Sequence, residues 1–246
     1  MHGMGTIVNC IAILCGGALG LFFGSLIPLR VQDAMMQGLG LAVLAVGLTG
    51  FIPAAITVTP EGLSSQYAML TIISLILGTI CGSIIGIEEW LNGLGARLER
   101  MVKKGEGSSR FTQGFFNASL LYCVGAMAIV GALNDGLTGD ASTLYAKAVL
   151  DGVCAIIFTS GFGVGALFSI IPVGIYQGSI TALATLLQPL LTPVVIEQMC
   201  AIGYLLIVVI GTNMMQMSKI KVGNMLPAIL VPIIYHIMQL AWAAVY

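Results

Sequence analysis

The chain has 246 residues, of which 58% are hydrophobic and 8% are charged, and its net charge is −1. Its mean hydropathy is +1.05, whereas about a quarter of the residues in a soluble domain are charged. This composition excludes an ordinary soluble domain, and the small negative charge gives no reason to expect nucleic acid as a partner. We expect one membrane-embedded domain over 1–246.

Long stretches without charged residues predict about eight transmembrane helices, because a bilayer core about 30 Å thick needs about 20 apolar helical residues. The predicted fold is an all-α polytopic transmembrane bundle. Its helices are expected near 5–27, 34–58, 66–88, 112–134, 146–170, 174–196, 198–217 and 223–245. The first stretch lacks the basic start and the cleavage pattern of a signal peptide, so we keep it as a helix.

The basic residues predict the orientation of this bundle. With both termini outside, eight of the nine Lys and Arg residues fall in cytoplasmic loops, as the positive-inside rule requires. These eight are Arg30, Arg97, Arg100, Lys103, Lys104, Arg110, Lys219 and Lys221. Lys147 falls on the outer side, together with the acidic residues Glu61, Asp135, Asp140 and Glu197.

The segment at 89–104 differs from the membrane-spanning stretches. Apolar residues such as Trp90, Leu94 and Leu98 recur there at helical spacing, and basic residues such as Arg97 and Lys104 alternate with them. The pattern predicts an amphipathic helix on the cytoplasmic face of the membrane, with lipid as its partner. An ordinary solvated linker helix is the alternative, and a short flexible link at 105–110 follows it.

Two parts of the chain resemble each other. The string at 24–28 matches the one at 168–172, Gln37-Gly38 is echoed by Gln177-Gly178, and Asn9 roughly corresponds to Asp151. These echoes predict a 4+4 pseudo-repeat of the same orientation, with halves near 1–110 and 111–246 and a site between them. Chance matches among apolar residues are the alternative.

Glycines and cysteines are frequent in the predicted helices. The chain has 32 glycines, and spacing by four puts Gly16, Gly20 and Gly24 on one helix face and Gly78, Gly82 and Gly86 on another. Such faces favour close helix packing, within the chain or between copies in a homo-oligomer. The 6 cysteines show no metal-ligand spacing and are expected to be buried thiols, so no metal site is predicted.

Asp151 is the acidic residue that lies most clearly inside a predicted helix, near its outer end. It forms an (i, i+4) pair with Lys147, which needs no function, or it belongs to an ion or proton site with Asn9 nearby. The polar loop at 134–140 either holds a cation or is ordinary turn chemistry.

A second group of polar residues is expected near the cytoplasmic side: Asn117, Asn213 and Asn224. Amides at such positions either bridge helices or coordinate a polar solute. His236 follows Pro227 and Pro232 in the last helix, where it is either a packed side chain or a proton carrier. Proline-interrupted helices often line transporter sites.

Several strings together resemble a bacterial family of inner-membrane proteins of unknown function. They are GTIVN at 5–9, MQGLGLAV at 36–43, ASLLYCVGAMAIVGALNDGLTGD at 118–140, KAVLDG at 147–152 and GNMLPA at 223–228. The family is number 554 among domains of unknown function and includes YqgA-like and YdfK-like proteins. The resemblance implies a multi-pass protein of the bacterial plasma membrane and assigns no site residue.

No catalytic motif, cofactor motif or nucleotide-binding loop is present, so we do not expect an enzyme or a cofactor. The main hypothesis is a secondary transporter or channel for a small solute or ion. Its predicted site residues are Asp151, Asn9, Asn117, Asn213, Asn224 and His236. The alternative is a membrane helper, sensor or assembly partner that transports nothing.

Overall fold

The computed structural model of the chain describes residues 2–24, 28–60, 62–102 and 109–245. Glu61, Lys103, Lys104, most of the predicted link after 104 and the middle of the repeat string at 24–28 lie outside these ranges.

The described residues form an all-α fold with one small hairpin. In chain order the elements are α1 (Met4–Gly24), α2 (Leu29–Ala55), β1 (Ile56–Thr59), β2 (Gly62–Ser65), α3 (Ala68–Ile85), α4 (Ile87–Val102), α5 (Ser109–Cys123), α6 (Ala126–Thr138), α7 (Ser142–Phe162), α8 (Val164–Leu167), α9 (Ile170–Ala182), α10 (Ala184–Leu187), α11 (Pro193–Met214), a 3₁₀ segment (Val222–Leu230) and α12 (Val231–Val245).

Within the described ranges, seven helical segments are long and apolar enough to cross a membrane. They become eight if α5 and α6, which are bent by 62° relative to each other, count as one span. The predicted polytopic helix bundle is therefore confirmed. The amphipathic segment also forms a helix, α4, whose Trp90 side chain is exposed.

Three local features differ from the sequence predictions. The run of β-branched residues at 56–59 pairs with 62–65 as an antiparallel hairpin, where the pattern predicts the end of a helix. The helix predicted at 112–134 is broken, because Gly125 adopts a φ of 126° that only glycine reaches readily. Gly163, with a φ of 74°, ends α7 earlier than predicted.

The last predicted helix also begins differently. Residues 222–230 form a 3₁₀ segment that contains Pro227, and regular α-helix starts at Val231. Proline lacks the amide hydrogen and clashes with the preceding turn, so α-helical hydrogen bonding cannot run through this segment unbroken.

The helices fall into two compact units. The first unit comprises 1–40 and 89–185, and the second comprises 41–88 and 186–246. The boundaries of these units differ from those of the predicted halves, 1–110 and 111–246. The pseudo-repeat stays a prediction.

In the first unit, α1 packs along α7. A Cβ added to Gly16 would strike the backbone of Gly152, and one added to Gly20 would strike the backbone of Ile156. Gly24 faces Ser160 in the same way, so the two helices run parallel and in constant register. The absence of side chains lets the two helix backbones touch.

In the second unit, α3 packs against the 3₁₀ segment. A Cβ added to Gly78 would strike the backbone of Ala228, and one added to Gly82 would strike the backbone of Asn224. The most buried helix of this unit is α11, with residues such as Ile202 and Leu206 fully buried. These glycine faces make contacts within the chain, and self-association of the chain stays a prediction.

Candidate functional site

Asp151 lies in the middle of a membrane-spanning helix. It is the tenth of the 21 residues of α7, about 14 Å along the axis from Ser142. Because α7 begins at 142 and not near 146, Asp151 lies farther from the start of its helix than the sequence suggested. A carboxylate at such a depth needs a partner, since the hydrocarbon core cannot solvate it.

Lys147 supplies that partner from the preceding turn of α7. Its Nζ lies 2.7 Å from Oδ1 and 2.7 Å from Oδ2 of Asp151, so the ammonium contacts both carboxylate oxygens. Lys147 is 6% exposed and Asp151 is 5% exposed. The pair predicted from the (i, i+4) spacing is therefore present, and it is buried inside the protein.

Two amides from neighbouring helices complete this arrangement. Nδ2 of Asn9 on α1 donates to Oδ2 of Asp151 at 3.0 Å and to Oε1 of Gln177 on α9 at 3.2 Å. Asn9 and Gln177 are both fully buried. We call Asn9, Lys147, Asp151 and Gln177 the polar cluster.

The packing of α1 on α7 brings this cluster together. The close contact of Gly16 with Gly152 keeps α1 against α7, and the side chain of Asn9, two turns earlier on α1, reaches Asp151 across this contact. A bulky residue at Gly16 or Gly20 would hold the two helices apart, and the Asn9–Asp151 bond would lengthen.

Several buried polar atoms at or near the cluster have no hydrogen-bond partner within the described residues. Oδ1 of Asn9 and Nε2 of Gln177 belong to the cluster itself. Thr6 lies one turn before Asn9 on α1, and its hydroxyl is also unpaired, as is the hydroxyl of Tyr122 next to the break between α5 and α6. Buried polar groups are normally paired, so these atoms are exceptions among the described residues.

Asp135 has a different position from the one expected. The sequence pattern predicts an outer loop, but Asp135 is a fully buried residue of α6. Its carboxylate accepts hydrogen bonds from the amides of Gly3 at 3.1 Å and Gly5 at 3.0 Å. A carboxylate at the start of α1 accepts from amides that have no partner within the helix, and it interacts favourably with the helix dipole.

Asn213 and Asn224 belong to the second unit and organise its backbone. Asn213 accepts from the hydroxyl of Ser218 and the amide of Ile220, and donates to the Ile220 carbonyl, which closes the turn after α11. Asn224 accepts from the amide of Glu88 at 2.9 Å, and the Glu88 carboxylate accepts from the amide of Gly223 at 2.7 Å. This is reciprocal capping of two helical segments.

Asn117 and His236 lie outside both arrangements. Asn117 is half-buried on α5, in the first unit, and His236 is half-buried on α12, in the second. No hydrogen bond among the described residues joins either side chain to the polar cluster. The predicted group of three asparagines is thus divided between the two units.

The loop between α6 and α7 shows turn chemistry. Asp140 is exposed and accepts from the amide of Ser142, and this hydrogen bond lowers the pKa of the Asp140 carboxyl. Within the part of the chain that the structure describes, no group of three or more His, Cys, Asp or Glu side chains could hold a metal ion.

Gln177 and Tyr122 are the members of this region that the sequence patterns do not single out as site residues. Gln177 stands out only as part of the Gln-Gly echo, although an amide in the charge-free stretch at 152–196, which also contains Gln188, is itself a signal. Tyr122 gives no such signal, because a tyrosine in a membrane helix is equally well a packing residue.

The fold defines a multi-pass α-helical membrane protein, and one of its two units contains a buried Lys–Asp pair bonded to amide side chains. Comparison with known families agrees with this class. Residues 4–237 match the family described as "Protein of unknown function (DUF554)". The chain belongs to this family, as the resemblance of its sequence strings implied.

Two relatives illustrate the match. The chain is 31% identical over 228 residues to "Uncharacterized membrane protein YdfK" of Bacillus subtilis (strain 168), covering 93% of each chain. It is 30% identical over 244 residues to "Uncharacterized protein YqgA" of Escherichia coli (strain K12), covering 98% of this chain and 99% of that one. No solved structure matches the chain.

Proposed function

We propose that this protein is a secondary transporter or channel for a small solute or ion, and that the polar cluster is its binding site. The observation that carries the proposal is the buried Lys147–Asp151 pair at the middle of a membrane-spanning helix, bonded to Asn9 from a second helix. Ionised groups at this depth are costly, and in membrane proteins they mark substrate and ion pathways.

The broken helices around the cluster support the same function. The break between α5 and α6 at Gly125 lies three residues after Tyr122, and α7 ends at the glycine turn of Gly163 before α8 begins. Interrupted helices free backbone groups inside the membrane and are common at transporter binding sites.

The expected placement is the bacterial plasma membrane with both termini outside, and α4 lying on the cytoplasmic surface. The support for this orientation is the distribution of basic residues, among them Arg97 on α4 and Lys219 and Lys221 after α11. A fusion of alkaline phosphatase to the C-terminus tests it. Activity of the fused enzyme in intact cells agrees with an outer C-terminus, and inactive fusion protein in the membrane contradicts it.

Flux through reconstituted vesicles tests the function. The purified protein is placed in sealed liposomes, and uptake is followed for alkali cations, amino acids and organic acids, with a pH-sensitive dye inside. We expect at least one solute to move faster than in protein-free liposomes. The Asp151→Asn variant should lose this flux, because the amide cannot form the ion pair.

Asp140→Asn is the matched control, since Asp140 is an exposed carboxylate just before the start of α7. It should transport like the parent. If the Asp151→Asn and Asp140→Asn variants transport equally well, the polar cluster is not the site. If no solute moves and a second membrane protein co-purifies, the non-transporting alternative is correct.

A further inference from the structure

The helix α4 connects two membrane-spanning segments. Before it, α3 ends at Gly86, whose φ of 72° breaks the helix, and after it α5 begins at Ser109. Both α3 and the bent pair of α5 and α6 are long and apolar enough to cross a membrane. Because the 16 residues of α4 lie between these two spans, we expect them at a membrane surface.

One face of α4 carries an aromatic residue and two basic residues. At about 100° per residue, Trp90, Arg97 and Arg100 lie within an arc of about 80°. Trp90 is 64% exposed, Arg97 is exposed, and a Cβ added to Gly93 between them meets no atom within 4 Å. Within the part of the chain that the structure describes, Arg97 makes no ion pair. We call Trp90, Gly93, Arg97 and Arg100 the basic face, on which Arg100 is placed by helical register.

An apolar stripe borders the basic face. Leu91, Leu94 and Leu98 lie about 40–100° round the helix from Trp90, on the side away from the arginines. Trp90 is therefore at the boundary between apolar and basic residues. Tryptophan favours the boundary between hydrocarbon and headgroups, and basic residues beside it are attracted to anionic lipid.

The acidic residues of α4 lie off the basic face. Glu88, Glu89 and Glu99 are each at least about 100° round the helix from Trp90. The carboxylate of Glu88 is also engaged elsewhere, since it accepts from the amide of Gly223 at 2.7 Å. The charge that α4 presents beside Trp90 is therefore positive.

We propose that the basic face of α4 binds the headgroups of anionic phospholipids in preference to zwitterionic ones. Guanidinium groups pair well with phosphate oxygens, and in a zwitterionic headgroup an ammonium offsets the phosphate charge. Each basic residue near an anionic surface strengthens association about fivefold, so two arginines predict a preference of about 25-fold. This inference rests on the proposed placement of α4 at the membrane surface and is independent of transport.

The fluorescence of Trp90 tests this preference. The chain has 2 tryptophans, so Trp242→Phe leaves Trp90 as the single emitter. This variant is reconstituted in vesicles with equal amounts of phosphatidylglycerol and phosphatidylcholine. Bromine, which quenches tryptophan on contact, is carried on the acyl chains of one of the two lipids at a time. We expect brominated phosphatidylglycerol to quench Trp90 strongly and brominated phosphatidylcholine to quench it weakly.

Two results at Trp90 overturn the inference. Equal quenching by the two brominated lipids means that the lipid beside Trp90 is a random sample of the bilayer. Quenching by neither lipid means that α4 is a solvated linker helix or is covered by protein. The Trp90→Phe variant is the control for the whole protein, because it reports on Trp242 of α12. A preference of the same size at Trp242 contradicts a site on α4.

Matched substitutions test the arginines. Arg97→Gln and Lys219→Gln each remove one exposed basic charge, but Lys219 follows α11 and is not part of α4. In the Trp242→Phe background, Arg97→Gln should lower the preference about fivefold. Lys219→Gln should leave it unchanged. If the two variants show the same preference, the basic face is not the binding surface.

The outcomes separate this inference from the proposed function. If Trp90 shows the lipid preference but no solute crosses the liposome membrane, the lipid site is correct and the transport proposal fails. If flux depends on Asp151 but the two brominated lipids quench Trp90 equally, the transport proposal holds and the lipid site is wrong. Vesicles with the same lipids in both leaflets make the quenching independent of the side on which α4 lies.

Discussion

The contact between α1 and α7 predicts a large effect of a very small substitution, Gly20→Ala. The added Cβ would lie 3.0 Å from the carbonyl carbon and from Cα of Ile156, and closer still to the Ile156 carbonyl oxygen. Ordinary carbon contacts are about 3.5–4.0 Å. These partners are backbone atoms of a helix and cannot rotate away, so α1 and α7 must separate.

The expected loss follows from this geometry. Overpacking of a tight contact costs typically about 1–3 kcal/mol. For a chain of this size each kcal/mol lowers the melting temperature by about 2–4 °C, so the expected drop is roughly 2–12 °C. Thermal unfolding of the detergent-purified protein, followed by tryptophan fluorescence or by circular dichroism, measures it.

A matched control comes from the same unit. Gly178 on α9 is also helical, but a Cβ added there meets no atom within 4 Å. Gly178→Ala should therefore leave the melting temperature unchanged or raise it slightly. If Gly20→Ala melts at the same temperature as Gly178→Ala, the close α1–α7 contact is wrong, and with it the position of Asn9 beside Asp151.

Three further predictions concern the capping residues. Asp135→Asn should lower the free energy of unfolding by about 1–3 kcal/mol, because the asparagine side chain has one acceptor oxygen and cannot accept from both backbone amides at the start of α1. Faster proteolysis of the N-terminus in the folded variant would report this loss, and unchanged cleavage would contradict it. Glu88→Gln and Asn224→Ala should be non-additive by about 0.5–3 kcal/mol in a double-mutant cycle, whereas strict additivity would deny the reciprocal capping. The hydrogen bond from Ser142 lowers the pKa of the Asp140 carboxyl in the folded protein, so it stabilises the fold fully at pH values above the ordinary pKa of 3.8. This stabilisation is lost as the pH falls through the lower pKa of the folded state. The stability difference between the parent and Asp140→Asn should therefore stay constant from about pH 7 to 5 and shrink only below about pH 4; a change between pH 7 and 5 would contradict this.

The sequence was sufficient for the membrane class and for most helices, because apolar stretches of about 20 residues without charge are typical of membrane-spanning helices and rare elsewhere. It also indicated the Lys147–Asp151 pair as one of two alternatives, because the (i, i+4) spacing places both side chains on one helix face. It did not reveal that this pair lies at mid-span. That depth depends on the start of α7 at Ser142, and boundaries are the least certain part of any helix prediction.

Long-range partners account for the remaining differences. Asn134-Asp135-Gly136 has the composition of a turn, yet Asp135 is helical and buried because the start of α1 supplies amides for its carboxylate. Gly125 is one of many glycines, and only its φ of 126° distinguishes it as a break. Neither partner nor dihedral is encoded in local spacing, so local patterns could not have found them.

The proposed function requires that the polar cluster around Asp151 binds a small solute or ion. A ligand that binds only the folded protein raises its melting temperature, by about 2.7 kcal/mol of added stability at a concentration of 100 times Kd. We would measure melting of the parent, Asp140→Asn and Asp151→Asn against one panel of ions, amino acids and organic acids, each relative to its own ligand-free baseline. We expect at least one ligand that stabilises the parent and Asp140→Asn but leaves Asp151→Asn unshifted. If every stabilising ligand shifts all three proteins equally, the cluster does not bind it and the claim is wrong.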